Sequence, residues 1–255
     1  MPEYKMPEFP ERMLLRAVWG GRKDPLNDQA EMVWQCWQRL AAHGGFLANA
    51  WRDLRVNRFI PLSSLDVLNE SMTRSYERGC DYMYHFTQRT YYGNSTTPTL
   101  YMSVSLSSPE GGKVMVANQM VMQLDAGLTM DGTVQAPLPV DWLLGIGAEL
   151  VADMVQAWHP DAVSLDCGDL VGTPNSPGFT YPTIGFVSWL SDSVVDPGLL
   201  PDAPVKRRFG EGTILGIDPG SSDPLADALA LADRVYSAGI LSMVPFVQGQ
   251  PNPDQ

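Results

Sequence analysis

The hydrophobic pattern of the first hundred residues alternates between strand and helix periods. Residues 13–20, with the sequence MLLRAVWG, predict a strand that ends at two glycines. Residues 28–43 place apolar side chains at helical spacing, which predicts an amphipathic helix with Asp28 as its N-cap. A second helix is predicted over 64–78, because Gly79 interrupts the pattern there. The start of the chain therefore predicts one strand followed by two helices.

The middle of the chain favours strands, and helices return towards its end. Residues 98–108 and 112–125 alternate apolar and polar positions around the turn sequence PEGG, which predicts a hairpin. Such a run of strands, flanked by helices, predicts an α+β fold with helices packed against a mostly antiparallel central sheet. Further strands are predicted at 162–167, 184–191 and 212–218, and further helices at 142–158 and 223–241.

The charge distribution adds a second kind of information. The net charge is −12, yet residues 1–100 carry a net charge of +1 and residues 101–255 carry −13. No Lys or Arg occurs between Lys113 and Lys206, a stretch that holds eleven acidic residues. An uncompensated acidic field repels nucleic acid and attracts basic partners. Acidic surfaces also serve solubility alone, and the sequence leaves both interpretations open.

The segment HPDAVSLDCGD, residues 159–169, concentrates residues that carry chemistry. It holds His159, Asp161, Asp166, Cys167 and Asp169. As metal ligands they mix hard and soft donors in a way that fits no common geometry. As an acid–base pair, Asp166 and Asp169 have no identifiable nucleophile beside them. We therefore expect no catalytic residue, no metal and no cofactor, and we interpret the segment as a helix end, a strand and a solvated turn.

The remaining features indicate a non-secreted, single-domain protein. The polar, acidic start is unlike a signal peptide, and no apolar run approaches the length of a membrane span. Three scattered cysteines indicate reduced thiols. We predict a cytoplasmic protein with one domain over 12–245 and flexible tails at 1–11 and 246–255. We also expect it to be monomeric when free, with no membrane and no nucleic-acid partner.

The order of the elements resembles the immunity protein 52 family of bacterial polymorphic-toxin systems. That family opens with an apolar strand, an aromatic-Gly-x-Arg turn, an amphipathic helix and a tryptophan-bearing segment. The corresponding residues in this chain are Trp19, Gly20, Arg22 and Trp51, the last of which we expect to begin a loop. Residues 184–191 and 211–241 resemble the later strand and closing helix, whereas 100–170 shows no firm match. We expect the turn residues to be structural, with Trp19 in the core and Arg22 paired to an acid.

What the resemblance implies is a protein that binds and neutralises a toxin without catalysis. Family members are encoded beside toxins with a restriction-endonuclease-like nuclease domain, some of them delivered by type VI secretion. Because such a nuclease needs a basic surface to hold DNA, an acidic inhibitor suits it. The predicted interface lies in the loops 125–133, 166–176 and 191–204, and the predicted toxin-binding residues are Asp125, Asp131, Asp166, Asp169, Asp192, Asp196 and Asp202.

Two alternatives remain open from the sequence. One is a hydrolase with a carboxylate site around Asp166 and Asp169, which requires these residues to converge with His159 in one pocket. The other is a chaperone or adaptor that carries a secreted effector and binds it outside its toxic domain.

Overall fold

A ten-stranded antiparallel sheet forms the centre of the fold. The structure is a computed structural model, and it describes residues 9–20, 24–79, 83–88, 97–106, 118–128, 133–170 and 181–244. The strands of this sheet are β1 (Arg12–Trp19), β2 (Trp51–Asp53), β3 (Arg58–Ile60), β4 (Met83–Thr87), β5 (Thr99–Ser105), β6 (Asn118–Asp125), β9 (Ala162–Asp166), β10 (Val187–Ser191), β11 (Val205–Phe209) and β12 (Gly212–Gly216). Their spatial order is β11-β12-β10-β9-β1-β6-β5-β4-β2-β3, and a separate pair joins β7 (Gly127–Leu128) to β8 (Val134–Ala136). The N-terminal strand therefore lies in the interior of the sheet, between β9 and β6.

Helices complete the architecture and confirm the α+β class with a mostly antiparallel sheet. They are α1 (Leu26–Ala42), α2 (Leu65–Glu77), α3 (Val140–Gly145), α4 (Gly147–Trp158) and α5 (Pro224–Ser237), with short 3-10 turns at Gly45–Ala48 and Gly168–Leu170. No helix in the described ranges combines the length and apolar character that crossing a bilayer requires.

One face of the sheet forms the core with α1, α2 and α4. Alternate residues of β1 are fully buried and point to the helices, as the period of two demands. Trp19 of β1 stacks on Trp158 of α4, with ring centroids 5.4 Å apart. Trp51 of β2 stacks on Trp37 of α1 at 5.0 Å and an interplanar angle of 6°. These two aromatic pairs fasten α4 and α1 to different parts of the sheet.

The opposite face of the sheet carries polar side chains. On β1 the residues that alternate with the core set include Arg12 and Arg16, and both form ion pairs across neighbouring strands. On β4 and β5, Tyr101 hydrogen-bonds His85 at 2.7 Å. Burial lowers the pKa of His85 and raises that of Tyr101. On β1, β4 and β5 this face therefore carries paired polar groups, whereas on β10 and β12 the same face buries Leu190 and Leu215.

Several predicted elements are confirmed, with changes at their ends. β5 and β6 pair antiparallel as predicted, while the predicted PEGG turn between them lies outside the described residues. Ser64 caps α2 by accepting a hydrogen bond from the Val67 backbone N–H. The Asp28 cap is wrong, because α1 begins two residues earlier and Asp28 lies in its first turn. The predicted helix 142–158 is interrupted at Ile146, between two glycines of low helix propensity.

Four strands of the ten-stranded sheet, and the separate pair β7–β8, were not predicted from the sequence. Trp51 begins strand β2, not a loop, and β3 pairs with it. β4 and β11 were likewise missed. All four of these strands in the large sheet are only three or five residues long; β11 reads VKRRF and forms one edge of the sheet. Periodicity carries little information in such short or charged segments.

Residues 9–11, at the end of the predicted N-terminal tail, contact the rest of the fold. The Phe9 ring lies 5.2 Å from that of Phe186, and the Glu11 carbonyl accepts a hydrogen bond of 2.8 Å from Ala126 N–H. Residues 9–11 therefore pack with the sheet. Residues 1–8 and the predicted tail 246–255 lie outside the described residues.

Candidate functional site

A cleft of about 630 Å³ lies between the C-terminal end of α4 and the turn that joins β11 to β12. It is within the size range of ligand and side-chain pockets. Three carboxylates line it, and no Lys or Arg does so within the described part of the chain. The lining residues with chemical character are His159, Asp161, Trp189, Asp192, Phe209 and Glu211.

The cleft begins where α4 ends. His159 adopts a left-handed conformation with φ of 45°, and its backbone N–H donates to Val155 O at 3.0 Å. This conformation stops the helix and turns the chain through Pro160 into β9. The prediction that His159 and Pro160 close the helix is confirmed. The exposed His159 side chain is thereby left at the rim of the cleft.

Asp161 fastens three segments at one wall of the cleft. Its Oδ2 accepts a hydrogen bond of 2.9 Å from the backbone N–H of Gly20, at the turn after β1. Its Oδ1 accepts one of 3.2 Å from the Ser193 hydroxyl, which also lies 2.6 Å from the Ser191 hydroxyl. Its backbone N–H donates to Val18 O at 2.8 Å. Asp161 is therefore mainly a positioning residue for the wall.

The opposite rim is formed by Asp192 and Glu211. Arg208 of β11 donates to both carboxylate oxygens of Asp192, and each of the two distances is 2.6 Å. This hydrogen bonding lowers the pKa of the Asp192 carboxyl and raises that of Arg208. The Asp192 backbone N–H donates to Glu211 O at 2.8 Å. The exposed Glu211 side chain has no salt bridge to any described residue.

Two aromatic residues form the floor of the cleft. The Trp189 indole N–H donates to Phe209 O at 2.9 Å, so its polar atom is already satisfied. Gly212, opposite in β12, leaves room for this ring, because a side chain there would collide with the indole. Phe209 is half-buried and presents part of its ring. The cleft thus combines an apolar floor with a carboxylate rim.

Two of the predicted toxin-binding residues, Asp125 and Asp166, are buried instead of being presented at the surface. Asp125 forms an ion pair of 2.7 Å with Arg12. Asp166 forms one of 2.9 Å with Arg16 and accepts a 2.6 Å hydrogen bond from the Ser164 hydroxyl. Burial raises the pKa of Asp166 to about 6, against the lowering effect of Arg16. Both carboxylates face cations of β1 across neighbouring strands, and we remove them from the interface.

The other predicted interface residues divide into three groups. Asp169 and Asp196 are exposed and form no salt bridge with any described residue; Asp196 accepts a 2.8 Å hydrogen bond from the Gly198 N–H. Asp192 and Asp202 are exposed near cations, Asp202 lying 3.7 Å from Lys206. Asp131 lies outside the described residues.

Salt bridges neutralise more of the acidic residues between Lys113 and Lys206 than the sequence indicates. Cations from outside this stretch pair with acids within it: Arg12 with Asp125, Arg16 with Asp166, Arg39 with Asp153, and Arg208 with Asp192. The negative field that remains comes from a smaller set of exposed carboxylates. Sequence reasoning missed Glu211 and the residues around it, although FGEG, at 209–212, is a recognisable turn between strands.

The turn residues of the resemblance take structural positions where they are described. Trp19 is buried against Trp158, and Trp51 is buried against Trp37. Gly20 contributes its backbone N–H to Asp161. Arg22, and the acid expected to pair with it, cannot be placed because Arg22 lies outside the described residues.

The carboxylate constellation of the hydrolase alternative does not converge. His159 precedes β9 and Asp166 ends it, so the five-residue strand separates them by about 16 Å at the usual rise per residue. Asp166 and Asp169 do not line the cleft that contains His159. Within the described ranges, no group of three or more His, Cys, Asp or Glu side chains is arranged to hold a metal ion.

Solved structures similar to this chain include one named as a type VI secretion system (T6SS) protein. No protein-family model matches the chain, and no curated protein matches it. The structure of Pseudomonas aeruginosa T6SS protein PA0821 is similar to this chain, with a TM-score of 0.49 and 10% sequence identity. The alignment covers 93% of this chain and 79% of that protein. Membership of the immunity protein 52 family therefore stays a prediction.

Proposed function

We propose that this chain is an immunity protein that binds a nuclease toxin stoichiometrically and neutralises it in the cytoplasm, without catalysis or cofactor. The observation that carries the proposal is the cleft, with its three carboxylates and no cation among its described lining residues. The order of elements resembling the immunity protein 52 family gives the toxin class: a restriction-endonuclease-like nuclease, delivered by type VI secretion.

The electrostatic argument rests on what a nuclease must present to DNA. A surface that binds the phosphate backbone carries Lys and Arg side chains. Exposed carboxylates compete for that surface, and the opposite charges accelerate association. The proposed interface comprises Asp169, Asp192, Asp196, Asp202 and Glu211, all in segments that follow or connect the strands β9 to β12. Asp131 stays a predicted member.

The test combines binding with protection. The nuclease domain of the toxin encoded by the adjacent gene is expressed with and without this chain, and growth is scored. Affinity for a catalytically inactive form of that domain is measured by calorimetry at two salt concentrations. We expect rescue of growth, and an affinity that falls as salt rises. Absence of both binding and rescue would refute the immunity function, whereas binding without rescue would indicate an adaptor.

Two charge-reversal variants, each with three substitutions, test where the interface lies. Asp169→Lys, Asp196→Lys and Glu211→Lys together are expected to weaken toxin binding at least about tenfold and to flatten its salt dependence. The matched control makes the same charge change on α1 and α2, with Glu31→Lys, Asp66→Lys and Glu77→Lys, all exposed. Circular dichroism checks that both variants fold. Equal affinities for the two variants would contradict an acidic interface on β9 to β12.

A further inference from the structure

The rim of the cleft already binds a guanidinium within the chain. Asp192 holds Arg208 through both of its oxygens, in the parallel, two-bond geometry that arginine favours over lysine. Glu211 is adjacent, since its backbone carbonyl accepts the Asp192 N–H, and its own carboxylate has no cation among the described residues. The rim can therefore bind a second guanidinium, and the Glu211 carboxylate is the group available to accept its hydrogen bonds.

The floor adds a reason to prefer arginine. Phe209 offers part of an aromatic ring below the rim, and the Trp189 ring beside it has its only polar atom bonded to Phe209 O. A planar guanidinium is weakly hydrated and stacks on aromatic faces, whereas an ammonium retains its water more strongly. The volume of about 630 Å³ admits a long side chain. Phosphate groups are excluded as occupants by the three carboxylates.

We propose that the cleft receives an arginine side chain of the toxin, stacked on Phe209 and hydrogen-bonded to Glu211. This inference rests on the proposed function and specifies the partner chemistry of its interface. Glu211 acts as the acceptor, and Asp161 holds the wall in place through Gly20 and Ser193.

The first test fills the cleft with a competing cation. Gln156 is exposed, lies on α4 and lines the cleft, and its amide oxygen accepts a hydrogen bond from Arg39 of α1. Gln156→Arg therefore adds a guanidinium beside Arg39 at the wall of the cleft. Thr73→Arg adds the same charge at an exposed position of α2, outside the cleft. We expect Gln156→Arg to weaken binding of the inactive toxin domain at least about tenfold and to reduce rescue, while Thr73→Arg changes affinity less than about twofold. Equal binding by both variants, with rescue intact, would overturn the cleft and leave the immunity function standing.

The second test needs no toxin. The full chain is titrated with hexa-arginine and hexa-lysine peptides at low salt, with the variant Glu211→Gln and the exposed control Glu77→Gln. We expect hexa-arginine to bind several-fold more tightly than hexa-lysine, and Glu211→Gln to weaken hexa-arginine several-fold more than Glu77→Gln does. Phe209→Leu keeps an apolar floor and should reduce the preference for arginine. Equal binding of the two peptides, or equal effects of the two glutamine variants, would overturn an arginine site.

The two tests separate the failure of each proposal. If the wild-type chain neither binds the toxin nor rescues growth, the immunity function fails, and with it the toxin as the source of the arginine. The peptide titrations then still decide whether the cleft binds a guanidinium. If rescue holds but the peptides show no dependence on Glu211, only the arginine site fails.

Discussion

Replacing Asp53 should expose how the β2–β3 hairpin is held to α2. This carboxylate is 1% exposed. Its Oδ1 accepts from the backbone N–H groups of Arg55 and Val56 at 2.8 and 3.3 Å and from the Ser75 hydroxyl at 3.1 Å. Its Oδ2 accepts from the Ser71 and Ser75 hydroxyls, each at 2.9 Å. One side chain thus satisfies four donors from two elements.

The magnitude follows from the donors that Asp53→Ala would leave behind. Ser71 and Ser75 are fully buried, and an unsatisfied buried polar group costs about 1–3 kcal/mol each. The two backbone N–H groups lie in the turn after β2, where water can replace part of the loss. We therefore expect Asp53→Ala to lower the free energy of unfolding by about 3–5 kcal/mol. Asp53→Asn keeps the volume and one acceptor oxygen, so its loss should be about half as large.

Urea denaturation, followed by circular dichroism, measures this effect. Asp66→Ala is the matched control, because Asp66 is an exposed acid at the start of α2. If the network acts as a unit, adding Ser71→Ala and Ser75→Ala to Asp53→Ala should cost little more than Asp53→Ala alone. A loss from Asp53→Ala within about 1 kcal/mol of that from Asp66→Ala would contradict a stabilising role for the Asp53 hydrogen bonds, since surface substitutions commonly change stability by less than this.

Three further predictions test burial and charge elsewhere. Burial raises the pKa of Asp166 in the folded state to about 6, above the usual pKa of an aspartate, so the folded state binds this proton more tightly than the unfolded state. The free energy of unfolding should therefore fall by about 3 kcal/mol as pH rises from the usual pKa to the raised one. Asp166→Asn should abolish this fall in urea denaturation at pH 4 and 7; an unchanged pH dependence would contradict the burial argument. Trp37→Ala should lower the free energy of unfolding by about 3–5 kcal/mol, because the ring is buried between Trp51 and Phe86; a loss below about 1 kcal/mol would show that the site collapses. Arg208→Ala should raise the pKa of Asp192, measured by NMR titration, and strengthen toxin binding at low salt; an unmoved Asp192 pKa would contradict the bidentate pair.

The residues that we expect to determine stability lie apart from those that we expect to bind the toxin. Asp53 and Trp37 lie in the part of the fold formed by α1, α2 and β2, whereas the cleft is built by α4 and β9 to β12. Substitutions of Asp53 or Trp37 that still allow folding should lower the free energy of unfolding and leave the affinity of the folded protein for its toxin unchanged. Changes at Glu211 should do the reverse, because this side chain is exposed.

Local elements with a clear hydrophobic period or a helix cap can be predicted from the amino-acid sequence alone. The β5–β6 hairpin follows from strict alternation on both sides of a turn, and α2 follows from its helical spacing and the Ser64 cap. These features depend on neighbouring residues, which a sequence displays directly. The α+β class follows from the same patterns. The short strands β2 and β3 gave no comparable signal, because three residues cannot establish a period.

Which acidic side chains face solvent depends instead on how the strands pair in the folded sheet. Asp125 and Asp166 are neutralised by arginines 113 and 150 residues away in sequence, because β1 inserts between β6 and β9. The same assembly brings Glu211 from the β11–β12 turn to the end of α4, where it forms the cleft with Asp161. A count of charges along the chain contains no information on strand order. The burial of a carboxylate, and therefore its availability to a partner, depends on long-range pairing that the whole sheet creates.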